Sequence, residues 1–280
     1  LQLDQQMVSI NDILLENLDL IYEDRSTTVS TEPFSMPDLG WGVSLGNLSV
    51  KASDVTYVKQ ETAIDLTSLE ADIDNVSLKG QKLLGSINDI KVNYNEQIIL
   101  NSLSAELSLD TDELSIKDLT TVINSDKGEI NTLNYNFTTN NAAGTAIDVN
   151  LSQKTLATLE PLLPEQFNVH PTANLKLFVD NVKYSSGYLD LDRLDTRYGD
   201  FLTIKGDVAM NPTDIENQKI NTRLETLSIN LPTTKKLWEG LTIPKELATV
   251  QNISASGTVS GTMDKLNVST FKFAADEMIV

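Results

Sequence analysis

The sequence predicts a mainly β protein: an elongated, antiparallel, repeating β-groove, built as a curled one-faced sheet of bulged strands with two or so short helices. Three observations point there. Apolar and polar residues alternate over most of the chain, polar two-residue steps interrupt that alternation at intervals, and helical spacing of apolar residues occurs in only two short stretches. Period two is the signature of a strand with one apolar face. A two-residue interruption shifts the phase by one, as a β-bulge or tight bend does, and lets the apolar face recover its side.

The first copies are Ile10 through Asn11-Asp12 to Ile13 and Leu15, then through Glu16-Asn17 to Leu18, Leu20 and Tyr22. A Ser/Thr-rich stretch follows, and Pro33, Pro37 and Gly40 mark a connection rather than a strand interior. Trp41, at its end, is expected to plug one end of a core. Val43 and Leu45 lead through Gly46-Asn47 to Leu48, Val50 and Ala52, and a turn at Ser53-Asp54 precedes Val55 and Tyr57. The clearest copies lie between Ile64 and Leu119. Leu66 passes through Thr67-Ser68 to Leu69, Ala71 and Ile73, and Asp74-Asn75 precede Val76 and Leu78. Ile87 passes through Asn88-Asp89 to Ile90, Val92 and Tyr94; Leu100 passes through Asn101-Ser102 to Leu103, Ala105, Leu107 and Leu109. Leu114 and Ile116 lead through Lys117-Asp118 to Leu119, and Ile130 through Asn131-Thr132 to Leu133, Tyr135 and Phe137. A meander of antiparallel strands is the simplest way to join such segments.

Leu156, Leu159, Leu162 and Leu163 break the rhythm with spacings of three and four, so one short amphipathic helix is expected over Ser152–Phe167, capped by Ser152 and kinked or ended by Pro161 and Pro164. Strands resume with Leu175, Leu177 and Val179, which pass Asp180-Asn181 to Val182 and Tyr184; Leu191 then leads through Asp192-Arg193 to Leu194. Leu202, Ile204, Val208 and Met210 form another, broken by Gly206, and Leu224 precedes Leu227 and Ile229. A second helix is expected to start at Thr233 or Thr234 and to hold Leu237, Trp238 and Leu241, before strands return from Ile253. The sum is about fifteen to eighteen strands, and an open sheet of that size must curl, split or flatten. Two units are expected, 1–151 and 152–280, the second continuing the first.

Composition bounds function. At 280 residues and 40% apolar content the chain can build a sizeable core. A formal charge of −19 argues against nucleic acid as a partner and against simple adhesion to anionic lipid headgroups. The absence of cysteine excludes disulfides and thiolate metal sites. No apolar run approaches the ~18–20 residues that span a bilayer. The opening on Leu1 and the strand pattern still running at Phe271-Lys272-Phe273 suggest a piece of a longer protein.

Nothing in the sequence gathers catalytic chemistry, and no enzyme, cofactor or metal is expected. His170 is the sole histidine and reads as a loop residue beside Pro171; no nucleophile elbow accompanies it. Asp190, Asp192 and Asp195 lack the spacing of a calcium loop and read as a solvated strand face. Gly257 and Gly261 lie inside strands, where glycine marks bulges or close packing rather than a phosphate loop. Of six Asn-x-Ser/Thr sequons, such as Asn47-Leu48-Ser49 and Asn75-Val76-Ser77, most follow from Asn at the interruption and Ser on the outer face.

Three stretches carry a resemblance: Pro37-Asp-Leu-Gly-Trp41-Gly-Val-Ser-Leu-Gly-Asn47-Leu-Ser-Val50; Asp214 to Leu231 with Leu241-Thr-Ile-Pro244-Lys-Glu-Leu247; and Gly257-Thr-Val-Ser-Gly261-Thr-Met-Asp-Lys-Leu266. Together they resemble the AsmA/TamB superfamily of bacterial envelope proteins, in particular the TamB-like proteins of Bacteroides-type bacteria. The resemblance spans nearly the whole chain. It implies a periplasmic segment of an inner-membrane-anchored protein, without the anchor or the C-terminal domain. The implied role is phospholipid transport between the two membranes in a hydrophobic β-groove, with support of outer-membrane protein assembly beside an outer-membrane barrel partner.

A one-faced sheet must close on a second sheet or hold something apolar. In a groove, phospholipid acyl chains complete the core, each buried methylene contributing about 0.8 kcal/mol. The residues expected to line it are Leu48, Val50, Leu69, Ala71, Ile73, Ile90 and Val92, then Leu103, Ala105, Leu107, Leu119, Leu133, Tyr135 and Phe137. Leu175, Leu177, Leu194, Leu227 and Ile229 continue the set. The alternative is a structural or adhesive envelope protein whose apolar face packs on itself and carries no lipid.

Overall fold

The computed structural model describes residues 7–24, 40–59, 62–95, 97–160, 171–211, 220–237, 249–262, 265–276 and 278–279. The fold is mainly β, an open sheet rather than a closed barrel, with two short helices. The chain divides into two compact units, Leu1–Thr138 and Thr139–Val280.

In the first unit the strands are β1 (Met7–Glu16), β2 (Asp19–Asp24), β3 (Gly42–Lys59), β4 (Thr62–Lys79), β5 (Lys82–Tyr94), β6 (Ile98–Leu109), β7 (Glu113–Ile123) and β8 (Asp126–Asn136). From β3 to β8 each strand pairs antiparallel with the next, as expected of a meander. The beginning departs from that expectation. β1 and β2 both pair parallel with β3, at one constant offset from Met7↔Gly42 to Asp24↔Lys59. Parallel neighbours need a crossover of about a dozen residues or more, and the chain between Asp24 and Gly42 supplies that length. The alternation in β1 is the same as in an antiparallel strand, so direction was not legible there.

The second unit holds β9 (Asn141–Leu151), β10 (Leu175–Ser185), β11 (Tyr188–Tyr198), β12 (Leu202–Met210), β13 (Ile220–Asn230), β14 (Asn252–Thr262), β15 (Lys265–Ala275) and β16 (Met278–Ile279), paired in sequence order and antiparallel throughout. Helix α1 (Gln153–Leu159) begins at the Ser152 cap, whose side chain accepts from the Thr155 N–H at 3.3 Å. Helix α2 (Leu231–Leu237) starts earlier than the sequence suggested. Asn230 caps it, accepting from the Thr233 N–H at 3.1 Å, and Pro232 is tolerated because a first-turn N–H has no helical partner. Trp238, Leu241 and His170 lie outside the described residues. Trp41 does not plug a core: it is 45% exposed, just before β3 begins.

The two-residue interruptions are where the backbone departs from a plain strand. The second residue of the pair has positive φ at Asn17, Ser68, Asn75, Asp118 and Arg193. Register shifts accompany several of them, between Thr67 and Glu70, Leu191 and Leu194, and Leu224 and Leu227. A bulge leaves a backbone N–H without a ladder partner, and at three of these places a neighbouring side chain supplies it. The Ser68 N–H donates to Asp54 Oδ1 at 2.8 Å, and the Arg193 N–H donates to Asp207 Oδ1 at 3.0 Å. Beside Asn17, the Leu18 N–H donates to Ser53 Oγ at 3.2 Å.

From β11 to β15 bulged and straight strands alternate. β11, β13 and β15 carry an extra residue, while β12 and β14 run straight, with Gly206 and Gly257 facing the bulges. Gly206 therefore does not break β12. A Cβ there would lie 2.0 Å from the Arg223 carbonyl oxygen, and one on Gly257 would lie 2.6 Å from Phe271 Cα; both residues also have φ near +140°. A second device closes hairpin ends. Asn95, Asn124 and Asp276, all at positive φ, each donate a backbone N–H to a neighbouring carbonyl and accept back through the side chain.

Replacing Gly206 with Ala is expected to cost on the order of 3 kcal/mol in urea denaturation, because the obstructing atom is backbone. Gly80→Ala, at positive φ but in open space, should cost only about 1 kcal/mol. Equal losses at the two positions would contradict this account. The Asp276 carboxylate accepts from the Gln251 and Asn252 N–H groups, which hold it below the usual carboxylate range. A depressed pKa means that the clip is intact at neutral pH and fails as acid protonates the folded form, below the ordinary aspartate range. Hydrogen exchange at the Gln251 and Asn252 amides should accelerate there, and Asp276→Asn should abolish that pH dependence.

Candidate functional site

Direct cross-strand partners share a face, so the register writes out what each face carries. In the first unit one apolar row crosses seven strands: Val8, Val43, Leu78, Leu83, Leu109, Leu114 and Tyr135. Beside it lie Gly85, Leu107, Ile116 and Leu133. A further row joins Ile13, Leu48, Ile73, Ile87 and Ala105, and another joins Leu15, Val50, Ala71 and Ile90. Beyond the bulges at Asn17 and Ser68, Leu20, Val55, Leu66, Tyr94 and Ile98 line up, and Tyr22 stacks on Tyr57 with ring centroids 5.8 Å apart.

The second unit repeats the arrangement. Leu151, Leu175, Tyr198, Leu202, Ile229, Ile253 and Ala275 form one row across seven strands; Val149, Leu177, Thr196, Ile204, Leu227, Ala255 and Phe273 form the next. Past the bulges come Val182, Leu191, Val208, Thr222, Val259 and Val268. The straight strand β12 shows that these rows share one face, because Leu202, Ile204, Gly206, Val208 and Met210 alternate without a break. At the bulge line Leu194 and Leu224 flank Gly206, so the large side chains there meet a residue with none.

The register thus groups many of the residues expected to line a groove. Leu48 joins Ile73, Val50 joins Ala71 and Ile90, Leu107 joins Leu133, Leu175 joins Ile229, and Leu177 joins Leu227. Tyr135 meets Phe137 edge-on at 5.3 Å. Leu69, Val92, Leu103 and Leu119 stand at or beside interruptions; Leu69 opposes Ser53 and Leu103 opposes Thr121, so the rows fray there. Sequence reading passed over Leu83 and Ala275. Their signal was the alternation itself: Leu83 sits two before Gly85 and four before Ile87, and Ala275 two after Phe273.

Burial distinguishes this face from an ordinary core. Of the nineteen expected lining residues only Ala105 and Leu194 are buried; the rest are half-buried. In a two-layer protein the facing layer removes such side chains from water. Here, among the described residues of each unit, every strand belongs to one sheet, and the helices pack at strand ends, α1 on β9 and α2 on β13. In the second unit a depression of about 630 Å³ is lined by Leu227, Ala255 and Phe273 together with Ser254, Ser256 and Lys272. In the first unit, depressions of about 470 and 290 Å³ open instead on the polar face, beside Glu106 and Lys117 and beside Asp72 and Lys91.

The opposite face is polar and internally bonded. Asp12, Asn47, Asp74, Ser86, Glu106, Lys117 and Thr132 form a row across it. The Asn47 amide donates to Asp72 at 2.7 Å and to Asp74 at 2.8 Å; this bond and one from Asn88 hold the Asp74 carboxyl below its usual range. Asp190, Asp192 and Asp195 do not converge. Asp195 is bound by Lys205 at 2.6 Å, while Asp190 and Asp192 stand opposite Lys183 and Asn181. Among the described residues no cluster of His, Cys, Asp or Glu could hold a metal ion, and no helix is long and apolar enough to cross a membrane. No family model, curated protein or solved structure matches the chain.

A face without a second layer should bind an environment-sensitive apolar dye in the native state. Leu177→Asp is expected to lower that fluorescence and to cost about 1–3 kcal/mol, because the carboxylate is not fully withdrawn from water. Complete unfolding by this substitution would instead reveal a covered core.

Proposed function

We propose that the apolar face shields the acyl chains of phospholipids, as a segment of a lipid-transfer protein of the bacterial envelope. One observation carries the reading: unbroken apolar rows cross seven strands in each unit while most of their side chains remain half-buried, Tyr198 and Ala275 being the buried exceptions. Hydrocarbon supplies the missing layer, at about 25 cal/mol for each Å² it removes from water. The surface suits a chain that slides. It is aliphatic, repeats along the strand order, and sets no charged pair across its rows to anchor a headgroup. The polar face, with its share of the −19 charge, keeps the sheet soluble on its other side.

The resemblance to the AsmA/TamB superfamily supports the same reading. It would place the chain in the periplasm, between the inner and outer membranes, with an outer-membrane barrel protein as partner and a role in outer-membrane protein assembly. The reading needs no catalytic residue and no cofactor.

Native mass spectrometry and solvent extraction of the purified chain should recover phospholipid. A photo-crosslinking residue at Leu103, Leu107 or Leu227 should label lipid, and one at Ser104 or Ser228 on the polar face should not. Lipid-free protein together with no preference between the two faces would sink the proposal and favour a self-packed structural role.

A further inference from the structure

The tyrosines of this protein keep to the ends of its strands. Of the seven in the chain, six fall on the apolar face: Tyr22, Tyr57, Tyr94, Tyr135, Tyr184 and Tyr198. Each lies within two residues of the last residue of its strand. Farther inside the strands, from β3 to β14, the apolar face carries no aromatic ring among the described residues; Phe178 lies on the polar face, opposite Asp148 and Asp195. In the first unit Tyr57 and Tyr94 mark one end of the strands and Tyr135 the other. In the second unit Tyr198 marks one end and Tyr184 the other.

These residues are not alike in their surroundings. Tyr198 is buried, and its hydroxyl accepts from the Thr172 N–H at 3.1 Å, so it holds the fold. Tyr57, Tyr94, Tyr135 and Tyr184 are half-buried. A phenol joins an apolar ring to a polar tip and settles where apolar surface meets water. With hydrocarbon on the face, that boundary coincides with the ester and phosphate groups of a phospholipid. Resting on the lipid-binding role proposed above, we infer that each phospholipid lies along the strands. Its glycerol esters stand level with the strand-end tyrosines, chiefly Tyr94 in the first unit and Tyr184 in the second, whose hydroxyls donate to ester or phosphate oxygens. Its acyl chains run inward to the bulge line.

The dimensions agree. β12 runs straight from Leu202, in the row of Tyr198, to Met210, in the row of Leu189 and Tyr184, with Gly206 midway. At about 3.3 Å per residue, Gly206 lies roughly 13 Å from either row, close to half of the ~30 Å hydrocarbon core of a bilayer. A chain entering from either end therefore finishes near Leu194, Gly206 and Leu224. A chain laid across the strands would follow one row throughout and give its ester end no preference for the strand ends. Lying along the strands also suits sliding, because the molecule steps sideways from strand to strand while its polar end stays beside water.

Two phosphatidylcholine probes test the orientation on the full chain, one with a diazirine on the terminal acyl carbon and one with it beside the ester. After photolysis, mass spectrometry should find the terminal probe on Leu194 and Leu224, and the ester-side probe on Tyr184, Leu189 and Met210. Equal or reversed labelling of the two sets would overturn the orientation and leave lipid binding standing. No labelling by either probe would remove lipid binding and the orientation with it. Tyr94→Phe with Tyr184→Phe keeps both rings and removes both hydroxyls, and circular dichroism would verify the fold. This variant should retain phosphatidylcholine about two- to tenfold less well for each hydroxyl lost, and the ester-side label should spread away from the strand ends. Retention and label positions that both stay unchanged would overturn the role of the hydroxyls.

Discussion

Three of the described bulges raise the same difficulty and meet it in the same way. An inserted residue resets the alternation of the strand but strands a backbone N–H, and a buried or half-buried N–H without a partner costs about 1–3 kcal/mol. The adjoining strand answers with a side-chain oxygen: Asp54 for Ser68, Asp207 for Arg193, Ser53 for Leu18. Ser53 is buried and also donates to the Lys51 carbonyl at 2.9 Å, which stitches the bend between β1 and β2 to β3. Where a straight strand passes a bulged one, the partner's backbone crowds in, and glycine makes room at Gly206 and Gly257. The bulge is thus a shared property of two strands.

Phase resetting has a consequence for packing. Because each bulge returns apolar side chains to the side they left, long strands keep one apolar face through a change in parity, as Leu175, Leu177 and Val179 followed by Val182 and Tyr184 do in β10. The rows that result are cross-strand contacts within one layer, and such pairs contribute only about 0.2–1 kcal/mol each. Stability therefore rests on many small lateral contacts, joined by strand-end clips at Asn95, Asn124 and Asp276. Within each unit these lateral contacts hold the strands together without a facing layer of described residues. That leaves the apolar face of each unit uncovered by any described residue of a second layer.

Much of this was legible from residue order, and the reasons for the failures are physical. The interruptions at Glu16-Asn17, Thr67-Ser68, Asp74-Asn75, Lys117-Asp118 and Asp192-Arg193 were readable because polar pairs break period two and because Asn and Asp tolerate the left-handed region. Gly206 was misread as a strand break. Its role depends on bulges in β11 and β13, which are distant in sequence, so nothing local announces it. Trp41 was misjudged because composition favours burying an indole, whereas its position just ahead of β3 leaves it in water. The start of α2 was missed because Asn230 ends a strand and caps a helix at once, and only the first role follows from alternation.

The sequence by itself determined that this chain forms bulged strands with one apolar and one polar face, since those properties follow from period two and its two-residue resets. It could also place α1, whose Ser152 cap and leucine spacing are local signals. Only the tertiary structure decided which side chains align across strands, that β1 and β2 run parallel to β3, and that no second layer of described residues covers the apolar face within either unit. Direction, register and coverage depend on partners brought together from far along the chain. Alternation within a single strand is the same whichever neighbour it meets.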